Sequence, residues 1–78
     1  MPEVKIYSTP SCAYCRFAKR FFEQNKVKYT EYNVAQDYEK AEEMVRISGQ
    51  RGVPVIEIGG KVIIGFDQGA VKVALGIK

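Results

Sequence analysis

Apolar residues change their spacing several times along this chain, and each change marks an element. Val4, Ile6 and Tyr7 stand in a short β-prone run that ends at Ser8-Thr9-Pro10. Tyr14, Phe17, Ala18, Phe21 and Phe22 then recur at helical spacing, which predicts an amphipathic helix from about Ala13 to Gln24, stopped at Asn25. Val27 to Val34 reads as a second strand, but its alternation breaks. Val27 and Tyr29 share one phase, and Tyr32 and Val34 share the other. A strand covered on both faces and a strand with a bulge both fit. Asp37 is placed to cap a second helix with Ala41, Met44, Val45 and Ser48 on one face and Gly49 as terminator. Gln50-Arg51-Gly52 is a loop. Val55–Ile58 and Lys61–Ile64 read as strands joined by Gly59-Gly60, a strong hairpin signal because both positions take positive φ cheaply. Asp67 caps a last short helix carrying Val71, Ala74 and Leu75. The order βαβαββα gives an α/β fold. Its βαβ unit implies parallel strands with a right-handed crossover, and its hairpin adds an antiparallel pair, so the sheet is expected to be mixed.

The candidate chemistry lies where the first strand meets the first helix, in Ser11-Cys12-Ala13-Tyr14-Cys15-Arg16. Residues three apart share one side of a helix, so the two sulfurs can come within bonding reach. The first helical turn offers free N–H groups and the positive end of the dipole, and both favour an anion. Such surroundings lower a thiol pKa from about 8.5 to roughly 3.5–7.5. Arg16 and Lys19, one turn beyond Cys12 and Cys15, would add to the effect. Cys12 is therefore expected to attack a disulfide, and Cys15, a turn deeper beside Ala18 and Phe22, to resolve the mixed disulfide. A bridge between them closes almost no loop, so it would be a poor structural staple.

With 78 residues the chain is expected to be one domain, 1–78, without room for a second core. A hydrophobic fraction of 46% places it among globular chains. The net charge of +3 is too small and scattered to argue nucleic-acid binding. No apolar run approaches a membrane span and no leader-like segment is visible, which makes the cytoplasm the expectation. Two Cys and no His supply half a tetrahedral zinc site, so no metal site is expected within one chain.

Tyr7-Ser8-Thr9-Pro10-Ser11-Cys12-Ala13-Tyr14-Cys15 resembles the active site of the glutaredoxin family. Gly52-Val53-Pro54 is similar to that family's Thr-Val-Pro segment, and Gly65-Phe66-Asp67 falls where it has its second glycine motif. The resemblance implies a thioredoxin-like fold with sheet order 2-1-3-4, and Pro54 in a cis peptide beside the cysteines. It also implies a substrate site drawn from Thr9, Tyr14, Arg51, Val53, Pro54, Gly65, Phe66 and Asp67. Val53 would pair its backbone with an extended substrate. The helix start at Gly65, Phe66 and Asp67 would offer N–H groups to a carboxylate, or Asp67 would be a plain N-cap. Arg51 would be a bidentate clamp or a solvated loop charge.

The departures from the family pattern carry information too. Ala13 stands where a Pro is frequent, Thr9 where a Lys is frequent, and Gln68 where an Asp is common. Gly52 replaces a Thr, and Ile64-Gly65 replaces Gly-Gly. The missing Lys and Asp contact the charged ends of glutathione in the family, so weaker glutathione dependence is expected. The Gly-Phe stretch also resembles glutaredoxin-like redoxins that take electrons from thioredoxin reductase. The resulting expectation is a monomeric thiol-disulfide oxidoreductase acting on protein or mixed disulfides. It would bind no tight cofactor, and glutathione or thioredoxin reductase would supply its electrons. The alternative from another class is an iron–sulfur module, with Cys12 of two chains and outside thiols holding the cluster.

Overall fold

The computed structural model describes residues 2–77. The elements are β1 (Val4–Ser8), α1 (Ala13–Gln24), β2 (Thr30–Asn33), α2 (Tyr38–Ser48), β3 (Val55–Ile58), β4 (Lys61–Ile64) and α3 (Gln68–Leu75). The sheet order is β2-β1-β3-β4, as the resemblance implies. β1 runs parallel to β2, and the β1–β3 and β3–β4 pairs are antiparallel.

Alternation along the strands sorts the core into two layers. Val4, Ile6, Ile56, Ile58 and Ile63 pack with Ala18, Phe21 and Phe22 of α1 and with Val71 and Leu75 of α3. Tyr7 and Val55 pack on the opposite face with Met44 of α2. A sheet covered on both faces carries apolar residues on both, and the consecutive Val55 and Ile56 are both fully buried. Gly59 and Gly60, at φ 56° and 88°, close the β3–β4 hairpin. Asp37 caps α2 by accepting from the Lys40 N–H, and Gly49 ends it in the left-handed region.

The second strand is shorter than its apolar run, and neither a bulge nor a strand covered on both faces explains the broken alternation. After Asn25, Lys26 takes φ 56° and the Val27 N–H bonds to the Phe22 carbonyl at 2.8 Å, folding the chain back over α1. Val27 and Tyr29 thereby pack with the α1/α3 layer from a loop, whereas Tyr32 and Val34 join the α2 layer. The change of phase marks a change of layer, and the ladder begins only at Thr30.

Candidate active site

Strand register gathers the chemistry at one end of the sheet. Tyr7 faces Val55 across β1 and β3, and Val55 faces Ile64 across β3 and β4. The segments Ser8–Cys12, Val53-Pro54 and Gly65–Asp67 therefore leave the sheet side by side. The Gly65 N–H donates to the Pro54 carbonyl at 2.8 Å and ties two of them together.

Cys12 is the N-cap of α1, at φ −87° and ψ 111°. Its N–H bonds to the Thr9 carbonyl, its carbonyl takes the Arg16 N–H, and its Sγ accepts the Cys15 N–H at 3.1 Å. The sulfur thus occupies the place of a capping oxygen, against one of the free donors of the first turn. Cys15, one turn on, is 1% exposed, while Cys12 is half-buried. The two are joined as a disulfide with Cα atoms 5.2 Å apart. The Val53–Pro54 peptide is cis and Pro54 is fully buried.

The two cations expected to act on the thiols differ. Lys19 pairs with Glu31 at 2.8 Å, and the buried Ser8 hydroxyl donates to the same carboxylate at 2.6 Å. Hydrogen bonds from Lys19 first and Ser8 second hold Glu31 below the usual carboxylate range. Lys19 is thus committed to Glu31. Arg16 is exposed, reaches only the Pro10 carbonyl at 3.5 Å, and has no acidic partner among the described residues.

The remaining expected site residues divide. Thr9 is half-buried at the mouth of the turn, and Tyr14 is 64% exposed. Val53 is half-buried, and among the described residues neither its N–H nor its carbonyl has a hydrogen-bond partner. Gly65 takes φ 78°, a conformation that favours glycine. Phe66 packs on Phe21 with ring centroids 5.7 Å apart. Asp67 is the N-cap of α3, its Oδ1 accepting the Ala70 N–H at 3.1 Å. Arg51 is exposed and lines a cleft of about 450 Å³ with Val34, Tyr38, Met44 and Arg46. The cleft's lining includes none of the other expected site residues. Among the described residues no group of three or more His, Cys, Asp or Glu is arranged to hold a metal.

A glutaredoxin family model matches residues 4–63. This chain belongs to the glutaredoxin family. It is 43% identical over 65 residues to a glutaredoxin-like 8.6 kDa protein of the rubredoxin operon of Clostridium pasteurianum, covering 83% of this chain and 87% of that one. It is 36% identical over 67 residues to glutaredoxin 3 of Escherichia coli K12, covering 86% and 81%. The structure of a buckwheat glutaredoxin–glutathione complex superposes with a TM-score of 0.76 at 29% identity, over 96% of this chain and 71% of that one.

Against that family background, the exposed flank of α1 and a long-range bond of β1 are among the features of this glutaredoxin that escaped sequence reasoning. The apolar stripe of α1 is narrower than its spacing implies: only Cys15, Ala18, Phe21 and Phe22 are buried. Tyr14 and Phe17 lie on the flank, 64% and 49% exposed, in an edge-to-face pair 5.8 Å apart. Helical periodicity cannot separate a core face from a flank that extends it. The second feature is the bond from the buried Tyr7 hydroxyl to the Glu43 carboxylate of α2. It spans 36 residues, and no local pattern signals it.

Proposed function

We propose that this glutaredoxin reduces disulfides through a dithiol cycle in which Cys12 attacks and Cys15 resolves. The observation that carries the reading is the asymmetry of the pair: Cys12 Sγ sits in the N-cap against the Cys15 N–H, and Cys15 is buried. An N–H donor and the positive helix end stabilise a thiolate at Cys12 more than at Cys15.

In the forward half-reaction the Cys12 thiolate attacks a substrate disulfide. A Cys12–substrate disulfide forms and one substrate thiolate leaves, taking a proton from water. Deprotonated Cys15 then attacks Cys12 Sγ and expels the second substrate thiolate. Two electrons pass to the substrate, whose two sulfurs end as thiols, and the protein is left with the Cys12–Cys15 bridge. Two glutathione thiols, or the dithiol of a reductase such as thioredoxin reductase, return the two electrons.

The unpaired N–H and carbonyl of Val53 support pairing with an extended substrate backbone beside Pro54. Thr9 and Tyr14 would flank that strand. The start of α3 at Gly65, Phe66 and Asp67 would receive a carboxylate, with the Asp67 side chain committed to its cap. Arg51 takes the solvated role, because it is exposed and the cleft it lines includes none of the other site residues. The buckwheat complex supports glutathione as one reductant. The absence of the family's Lys and Asp at Thr9 and Gln68 supports weaker dependence on it.

The test is alkylation of the reduced protein at mildly acidic pH, followed by peptide mapping. Cys12 should be labelled first. Cys15→Ser should accumulate mixed disulfides, and Cys12→Ser should be inactive. Preferential labelling of Cys15 would overturn the assignment.

A further inference from the structure

We propose that the Tyr14–Phe17 flank of α1, bordered by Arg16 and Arg20, docks an acidic segment with apolar side chains in a disulfide-bearing protein, so that such disulfides are preferred over small ones. This deepens the dithiol reading and rests on it.

Tyr14 and Phe17 leave 64% and 49% of their surface in water, beside the buried face of α1. They do not stand alone. Phe21 continues the same flank toward the core and meets Phe66, at 5.7 Å, beside the cap of α3. An aromatic strip therefore runs from the turn between the cysteines to the loop that precedes α3. Phe17 stands five residues beyond Cys12, about 7.5 Å along the helix axis. A protein segment bound over it would hold its disulfide within reach of Cys12.

Charge identifies the occupant. Helix α1 carries three cations, Arg16, Lys19 and Arg20, and one acid, Glu23. Lys19 is taken by Glu31, and Glu23 accepts from the Tyr29 hydroxyl at 2.9 Å. Arg16 and Arg20, exposed and one turn apart, have no acidic partner among the described residues. Two like charges at this spacing destabilise an isolated helix, and a cation near the N-terminus opposes the dipole. An acidic partner relieves both effects. Arginine and aromatic side chains together also form the composition that anchors protein interfaces. A small neutral disulfide would reach Cys12 without touching Phe17 or Arg20.

The experiment is a single-turnover oxidation of the pre-reduced protein, followed by stopped flow. Three substrates are compared: a disulfide peptide with flanking Asp and Leu residues, the same peptide with Lys for Asp, and bis(2-hydroxyethyl) disulfide. The acidic peptide should react fastest, and its rate should fall with added salt. Phe17→Ala and Arg20→Glu should each slow it at least about fivefold, the loss expected of an interface anchor, and leave the small disulfide within about twofold. Melting curves check folding, and Ala is favourable in an exposed helix position. Equal rates for the two peptides, or equal losses on every substrate, would overturn the proposal. So would sedimentation showing that the wild-type protein dimerises and that Phe17→Ala restores the monomer, since a second copy would then be the occupant. If wild type oxidises with none of the three substrates, the dithiol reading itself fails, a result distinct from the others.

Discussion

Replacing Tyr7 by Phe removes one hydroxyl from the largest fully buried side chain and leaves its ring in place. That ring lies 5.3 Å from Tyr32 and packs with Met44 and Val55, so apolar burial is preserved. What is lost is a hydrogen bond to the Glu43 carboxylate. Bonds to charged groups contribute about 1.5–3 kcal/mol. Glu43 keeps Lys40 at 3.4 Å, and its side chain is 26% exposed, so water recovers part of the loss. The lower end applies: Tyr7→Phe should cost about 1.5 kcal/mol, a fall of roughly 6–12 °C in Tm for a domain of this size. Urea unfolding should show it as a lower midpoint at unchanged slope. The pH dependence supplies a second readout. The Tyr7 bond, first among its causes, holds the Glu43 carboxyl below its ordinary 4.5. A depressed folded value gives stability that is present above 4.5 and lost as the pH falls through the folded value. The gap between wild type and variant should therefore narrow in acid. Burial first, then the Glu43 bond, raises the Tyr7 hydroxyl well above its ordinary 10.0. That stability is present below pH 10 and drains as the pH climbs toward the folded value, so the gap should narrow in alkali as well. A neutral-pH cost under about 0.5 kcal/mol, the scatter of inconsequential substitutions, would refute the reasoning. A gap that stays constant in acid would refute it too.

Two further expectations follow from charges around the site. Ser8→Ala removes a donor that holds Glu31 low, so the Glu31 carboxyl should titrate closer to its ordinary 4.5 in a carbon-detected NMR titration, and a value unmoved or lower would show that Lys19 alone sets it. In a glutathione-coupled assay, Thr9→Lys with Gln68→Asp should lower the KM for glutathione by about threefold to tenfold, taking each exposed pair at about 0.3–0.7 kcal/mol, the middle of the range for surface pairs; no improvement would mean that these departures do not limit glutathione recognition.

Elements, caps and the nearness of the two cysteines were legible because each has a local signature. Asp37 and Asp67 cap their helices, and Gly59-Gly60 closes its hairpin, since these residues act on backbone within three positions of themselves. Cys12 and Cys15, three positions apart, were legible as neighbours for the same reason. The cis peptide at Pro54 was readable only through family resemblance, because spacing alone favours trans. The start of β2 was misread because Val27 and Tyr29 are apolar for packing on α1 while their backbone still turns at Lys26. Tyr7–Glu43 and Ser8–Glu31 were invisible because they join residues 36 and 23 positions apart through side chains ordinarily found on a surface. The exposed Tyr14–Phe17 pair was hidden by its agreement with the helical period, which reports a face and not what covers it.

These long-range bonds explain how so small a chain holds a reactive end steady while leaving one sulfur reachable. β1 delivers the cysteine turn, and it is the strand flanked by β2 and β3. Toward α2 it is fixed by Tyr7 on Glu43; at its exit Ser8 is fixed on Glu31, which also grips Lys19 of α1. Strand and helix on either side of the turn are thus bonded to a common carboxylate, which ties together the two elements that flank the Cys12 cap. The neighbouring loops are tied to each other through the Pro54 carbonyl and the Gly65 N–H. Around Cys12 the Val53 backbone stays unpaired, the Arg16 and Arg20 guanidiniums have no acidic partner among the described residues, and Tyr14 and Phe17 face water. No buried side-chain nitrogen or oxygen is unbonded among the described residues, so the polar groups of the interior are satisfied within the fold. At this end of the sheet the strands supply position, and the loops that leave them supply the open surface around Cys12.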